Sequence, residues 1–201
     1  MYKSLLRLGL GLTFTLLMVP KGFAVQPAPI NQDASVSWSS VINDPFDGRV
    51  VYDKNFGDGF AFVSSWSMQG IRATYTTYWS TVVGYRTVWR TRTVSDGHNK
   101  RREVNYPVQE PIYESRSRKE SPQAILFAIS GQVYTYEGGS VTPELATALS
   151  NAPRGNMRIR LRWADGRTTD LEIGAGTVES WKSIFRVTAA ASEPAISEPK
   201  K

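Results

Sequence analysis

From Tyr75 onward the chain alternates in a way that only an extended strand can use. Tyr75, Thr77, Trp79, Thr81 and Val83 share one parity, and ten residues on Tyr85, Thr87, Trp89, Thr91 and Thr93 repeat the pattern. Alternate residues share a face in a strand and scatter around a helix. Thr, Tyr and Trp are also residues that fit a pleated, half-buried surface. The stretch is therefore long β structure, with Gly84 between the copies marking a bend or bulge.

Turn chemistry extends this reading to both sides. Asp-Gly pairs at 47–48, 58–59 and 96–97 supply the positive-φ glycine that tight reversals need. Phe60, Phe62, Trp66 and Met68 share the parity of a half-buried strand. From Glu103 to Glu114 the chain is extended, and Pro107 and Pro111 assign it to a sheet edge. Residues 38–118 thus form an antiparallel β region, sandwich- or meander-like, carrying a long basic hairpin.

Helices enter after Ser121. Ala124 to Ile129 is a continuously apolar run of the kind a central strand needs, followed by Gln132 to Glu137 across a Ser130-Gly131 turn. Thr142 caps a helix with Pro143 in its first turn, and Pro153 stops it. Strands Met157 to Trp163 and Thr168 to Ile173 and a helix capped by Thr177 repeat the order. The two halves align at an offset of 35: Leu126 with Leu161, Gly131 with Gly166, Glu137 with Glu172, Thr142 with Thr177. Residues 119–188 read as a duplicated ββα unit. The fold class expected is a β-rich α+β protein, an antiparallel β region followed by a ββαββα unit.

The ends differ in character from this body. Lys3 and Arg7, an apolar run from Leu8 to Val19 and the small-residue site Gly22-Phe23-Ala24 make a signal peptide over residues 1–24. That run has 12 residues, against about 20 for a membrane-spanning helix, which favours cleavage; a retained anchor is the alternative. Cleavage after Ala24 removes Lys3, Arg7 and Lys21 and no acid, lowering the formal charge from +6 to +3. Residues 25–37 read as a flexible leader, and 189–201, with repeated Ser-Glu-Pro, as a disordered tail. The expected location is periplasmic or extracellular, which makes nucleic acid an unexpected partner.

Two charged or aromatic features are candidate sites. Between Arg86 and Lys119 stand nine cations and four acids. Arg86, Arg90 and Arg92 share a strand face, while Lys100, Arg101 and Arg102 lie near the turn. Such a patch suits an anionic envelope polymer, a membrane surface or an acidic protein; a solvated hairpin is the plain alternative. The stripe carrying Trp79 and Trp89 is either a platform for stacking sugar rings or part of the core. The arginines opposite it belong in water, so Tyr85 and Trp89 are expected inside. A second basic row, Arg158, Arg160 and Arg162, has its own answer in register. A three-residue loop over 164–166 sets Arg160 against Asp170 and Arg158 against Glu172, neutralising most of it.

Catalytic residue types are scarce. Cysteine is absent and histidine occurs once, as His98 in the turn over 96–99. No cofactor, catalytic residue or metal ligand is assigned. Asp44, Asp47, Asp53 and Asp58 cluster in sequence but lack calcium-loop spacing, and Asp-Gly turns account for part of the cluster. The function expected is an exported, non-enzymatic envelope or extracellular binding or structural protein. The alternative is a carboxylate-based enzyme acting on a polysaccharide.

Overall fold

A computed structural model describes residues 24–95 and 101–186. The segment read as a signal peptide up to Phe23, the segment read as a turn with His98 and Lys100, and the segment read as a tail lie outside the described residues.

The first sheet is a meander. Strands β1 (Val41–Asp44), β2 (Gly48–Gly57), β3 (Phe60–Ser67), β4 (Gly70–Ser95) and β5 (Arg101–Glu120) follow one another in space as in sequence, all antiparallel. Gly48 and Gly59 take positive φ at the two Asp-Gly turns, as the turn type demands. In β3, Phe62 and Trp66 are fully buried, whereas Met68, given their parity in the sequence reading, falls in the following turn and is exposed.

The second sheet is built from two hairpins, each followed by a helix. Hairpin β6 (Ala124–Ile129) with β7 (Gln132–Tyr136) precedes helix α1 (Pro143–Ser150); hairpin β8 (Met157–Arg162) with β9 (Thr168–Ile173) precedes helix α2 (Ala175–Ile184). The strand order β7-β6-β8-β9 joins the hairpins through their first strands. Met157 faces Ile173, Ile159 faces Leu171 and Arg160 faces Asp170, with Gly166 at positive φ in the loop, which is the register expected from the apolar pattern.

Both sheets and both helices bury their apolar faces in one core. Trp66 of β3 packs on Trp181 of α2 at 4.7 Å and edge-on against Phe127 of β6 at 6.0 Å. A second joint is polar. The Tyr136 hydroxyl donates to the Gly139 carbonyl at 2.6 Å and accepts from the Ile71 N–H at 2.9 Å. Gly70 makes this approach possible: a Cβ there would sit 2.8 Å from the Gly139 oxygen and 3.0 Å from the Tyr136 hydroxyl.

Thr177 is not the cap of α2. Gly174 occupies that position with no side-chain cap, and Thr177 sits fully buried one turn inside. Its hydroxyl donates instead to Asp53 of β2 at 2.6 Å, because the helix begins at Ala175 and its first turn packs against β2. Thr142 does cap α1, accepting from the Leu145 N–H at 3.3 Å. The segment read as a leader lies along the first sheet. Val25 is buried in the core, Gln26 bridges β4 at Arg72 beyond the end of β5, and Ala28 N–H donates to Thr74 Oγ1 at 2.9 Å.

Candidate functional site

Strand β3 accompanies β4 only as far as Thr77, while β5 stays paired with β4 out to Ser95. Beyond Tyr78 the sheet is therefore a two-stranded ribbon. At about 3.3 Å per residue it extends about 55 Å to Ser95. Its side chains take no part in the buried core. Tyr75 marks the last point the core reaches. It stacks on Phe60 at 5.2 Å and meets Trp163 edge-on at 5.5 Å. Four residues further out, Trp79 is exposed.

The expectation that the aromatic stripe faces the core is overturned. Trp89 is 68 % exposed, Tyr85 67 % and Trp79 44 %. Alternation gives a strand two distinct faces, but both faces of a two-stranded ribbon meet solvent when nothing packs against either. The two copies of the pattern also lie on different faces. Val82 faces Tyr113 and Gly84 faces Ile112, so Val83 is the extra residue of a bulge. Gly84 marks the bulge in the sequence, and the extra residue reverses the parity of β4 beyond it.

Past the bulge the ribbon has a cationic and a neutral face. Arg86, Arg90 and Arg92 pair with Glu110, Tyr106 and Val104 on the side continuous with Tyr75; Arg102, opposite Val94, joins them. Glu110 bridges Arg90 at 2.7 Å and Arg86 at 3.3 Å, and the two guanidinium groups hold its carboxyl below the usual range. Arg92 lies 5.2 Å over the Tyr106 ring, a cation–π contact. On the other face Tyr85 stands opposite Pro111 and Trp89 opposite Pro107. Gln109 donates to Thr87 at 2.9 Å and Thr91 to Asn105 at 2.8 Å, so the polar groups between the aromatics are paired with each other.

The sequence candidates thus do not gather on one surface. Arg86, Arg90, Arg92 and Arg102 share a face, Arg101 and Trp89 are on the other, and Trp79 is nearer the body opposite Arg116. Lys100 lies outside the described residues. Nearer the body, Arg116 pairs with Glu114 at 3.1 Å and Arg118 with Glu120, which cancels their charge locally. Sequence reasoning missed Glu110 as the bridging acid. Ser95 pairs with Arg101 and hence, in the same register, Arg86 with Glu110; the sequence alone does not give that register.

Ion pairs also hold the outer face of the second sheet. Arg158 and Arg160 both bind Asp170 at 2.6 Å, and Arg160 above all holds that carboxyl down at about 2. Glu172 accepts from Asn156 at 3.4 Å rather than from Arg158. Asp170 and Glu172 line one surface groove with Asn55, Phe60, Arg158 and Leu171, but they are alternate residues of one strand. A glycosidase pair needs one carboxyl on each side of the substrate and one held protonated; Asp170, at about 2, is ionised.

The four clustered aspartates differ in role. Asp44 accepts from the Phe46 and Asp47 N–H groups, Asp47 binds Arg72 at 2.8 Å, and Asp58 is exposed in its turn. Asp53 is 3 % exposed; burial raises its carboxyl, against the lowering effect of the Thr177 and Ser39 hydroxyls. No group of three or more metal-ligating side chains occurs among the described residues.

No family, curated protein or solved structure matches this chain.

Proposed function

We propose that this is a non-enzymatic exported protein of a cell envelope or extracellular space, which holds a partner by its projecting β-ribbon. The observation that carries the reading is the ribbon itself. It reaches about 55 Å past the last strand it shares with the body, exposes Trp89, Tyr85 and Tyr113, and contributes nothing to the core. A lone two-stranded ribbon is marginally stable in water, and exposed aromatics gathered on one face, as Tyr85 and Trp89 are, suit a contact surface. The remaining features are structural: arginines of the second sheet are neutralised, and the buried aspartate serves the joint between α2 and β2. The charge pattern at the start of the chain supports export. No helix among the described residues is long and apolar enough to cross a membrane.

Co-sedimentation with isolated bacterial cell-wall and membrane fractions tests this. The protein is compared with a variant in which Trp79 is joined to Arg116 by Asn-Gly, a two-residue hairpin turn. Intact protein is expected in the pellet, released in part as salt screens the arginines. The shortened variant is expected in the supernatant with its thermal midpoint unchanged. Equal sedimentation of the two would refute the ribbon as the contact surface.

A further inference from the structure

The two edges of the ribbon are built differently. On β5, Pro107 and Pro111 have the same parity and each lacks an N–H, yet the ladder with β4 runs through both positions. A proline keeps such a ladder intact only where its missing donor points away from the partner strand. The outer edge of β5 is thereby blunted, a standard protection against unwanted strand addition. The β4 edge beyond the bulge has no proline from Tyr85 to Thr93. Its outward N–H and C=O groups belong to the residues opposite Pro107 and Pro111 and their alternates: Tyr85, Thr87, Trp89, Thr91 and Thr93. One edge is closed and the other left open.

The distribution of side chains selects what fits that open edge. Arg86, Arg90 and Arg92 lie on one face and Tyr85 and Trp89 on the other. A flat ligand, whether a membrane or a polymer sheet, touches only one face. A strand laid beside β4 in the plane of the ribbon meets both, because its side chains alternate between them. A second copy of β4 fits poorly, since antiparallel pairing brings both sets of arginines onto one face near each other, and like charges across a sheet destabilise it.

We propose that the open edge of β4 from Tyr85 to Thr93 takes an added strand from a protein partner whose residues alternate acidic with apolar. The acids meet Arg86, Arg90 and Arg92; the apolar residues extend the face of Tyr85 and Trp89. The arginine positions are the non-hydrogen-bonded sites of the new ladder, where opposing Cα atoms come within about 4.5 Å. This rests on the ribbon being the contact surface and adds the chemistry of the occupant.

The test uses a synthetic peptide alternating Glu with Val and Tyr, an isomer of the same composition with the Glu residues grouped, and a version with Lys for Glu. Binding to the full protein is read by peptide anisotropy and Trp fluorescence. The alternating peptide is expected to bind about tenfold more tightly than the grouped isomer and to protect the Thr87 and Thr91 amides from exchange. Thr87→Pro removes one outward donor and should abolish binding. The double variant Arg90→Glu, Arg92→Glu should reverse the preference, taking the Lys peptide instead, an outcome that a misfolded ribbon cannot produce. Equal binding of the two Glu isomers, or no reversal in the double variant, overturns strand addition. If these fail while the shortened ribbon still loses the envelope fractions, the ribbon remains the contact surface and only the occupant is wrong.

Discussion

Replacing Gly70 with alanine tests the joint between the two sheets. The new Cβ would lie 2.8 Å from the Gly139 carbonyl oxygen and 3.0 Å from the Tyr136 hydroxyl. Both are inside ordinary contact, and the first is backbone, which cannot rotate away. Relieving such an overlap in a packed region costs about 1–3 kcal/mol. Moving the chains apart also weakens two hydrogen bonds of the Tyr136 hydroxyl, to Gly139 and from the Ile71 N–H, at about 0.5–1.5 kcal/mol each. The two effects overlap, so Gly70→Ala should cost about 2–4 kcal/mol. For a domain of this size that lowers the thermal midpoint by about 5–15 °C. Urea titration followed by far-ultraviolet circular dichroism measures it, with Gly84→Ala as control. A Cβ at Gly84 meets nothing within 4 Å, so the control should be neutral or slightly stabilising. In a cycle with Tyr136→Phe the costs should be less than additive, because both changes act on one hydroxyl. A loss below about 0.5 kcal/mol, or strict additivity, would refute the close-approach reasoning.

Two more consequences concern the exposed and the buried side chains. Iodide should quench the fluorescence of Trp79 and Trp89 readily, and Trp79→Phe with Trp89→Phe should remove most of the quenchable fraction; if the double variant quenches as wild type does, the ribbon is covered. Burial raises the Asp53 carboxyl, so the folded chain holds that proton more tightly than the unfolded chain does. Its stabilising contribution is then complete below the unfolded value near 3.9 and is lost as pH rises through the raised folded value. Urea midpoints of wild type should fall relative to Asp53→Asn as pH rises from about 3.5 to about 7, and a constant difference would show that Asp53 does not titrate in that window.

Much of the fold was legible because it depends on neighbours in sequence. The hairpin β8–β9 is the clearest case. Gly166 fixes the loop, the apolar parity of Met157, Ile159 and Leu161 fixes the faces, and together they leave one register. Thr142 and Pro143 mark the start of α1 for the same local reason. The candidate site was legible in part. Arg86, Arg90 and Arg92 do share a face, and Trp89 does lie on the other.

What the sequence by itself determined, then, is the strands, most of their turns, the repeated ββα order and the alternation along each regular strand. Only the tertiary structure decided what stands against each side. The stripe from Tyr75 to Thr93 is uniform in sequence, yet Tyr75 meets Phe60 and Trp163 while Trp89 meets water, because β3 ends where the ribbon begins. Thr177 has the local signature of a cap, yet it spends its hydroxyl on Asp53, 124 residues away. Alternation is a property of one strand, whereas burial belongs to the elements that pack on it. Those are brought together by contacts far apart in the chain, which no local pattern records.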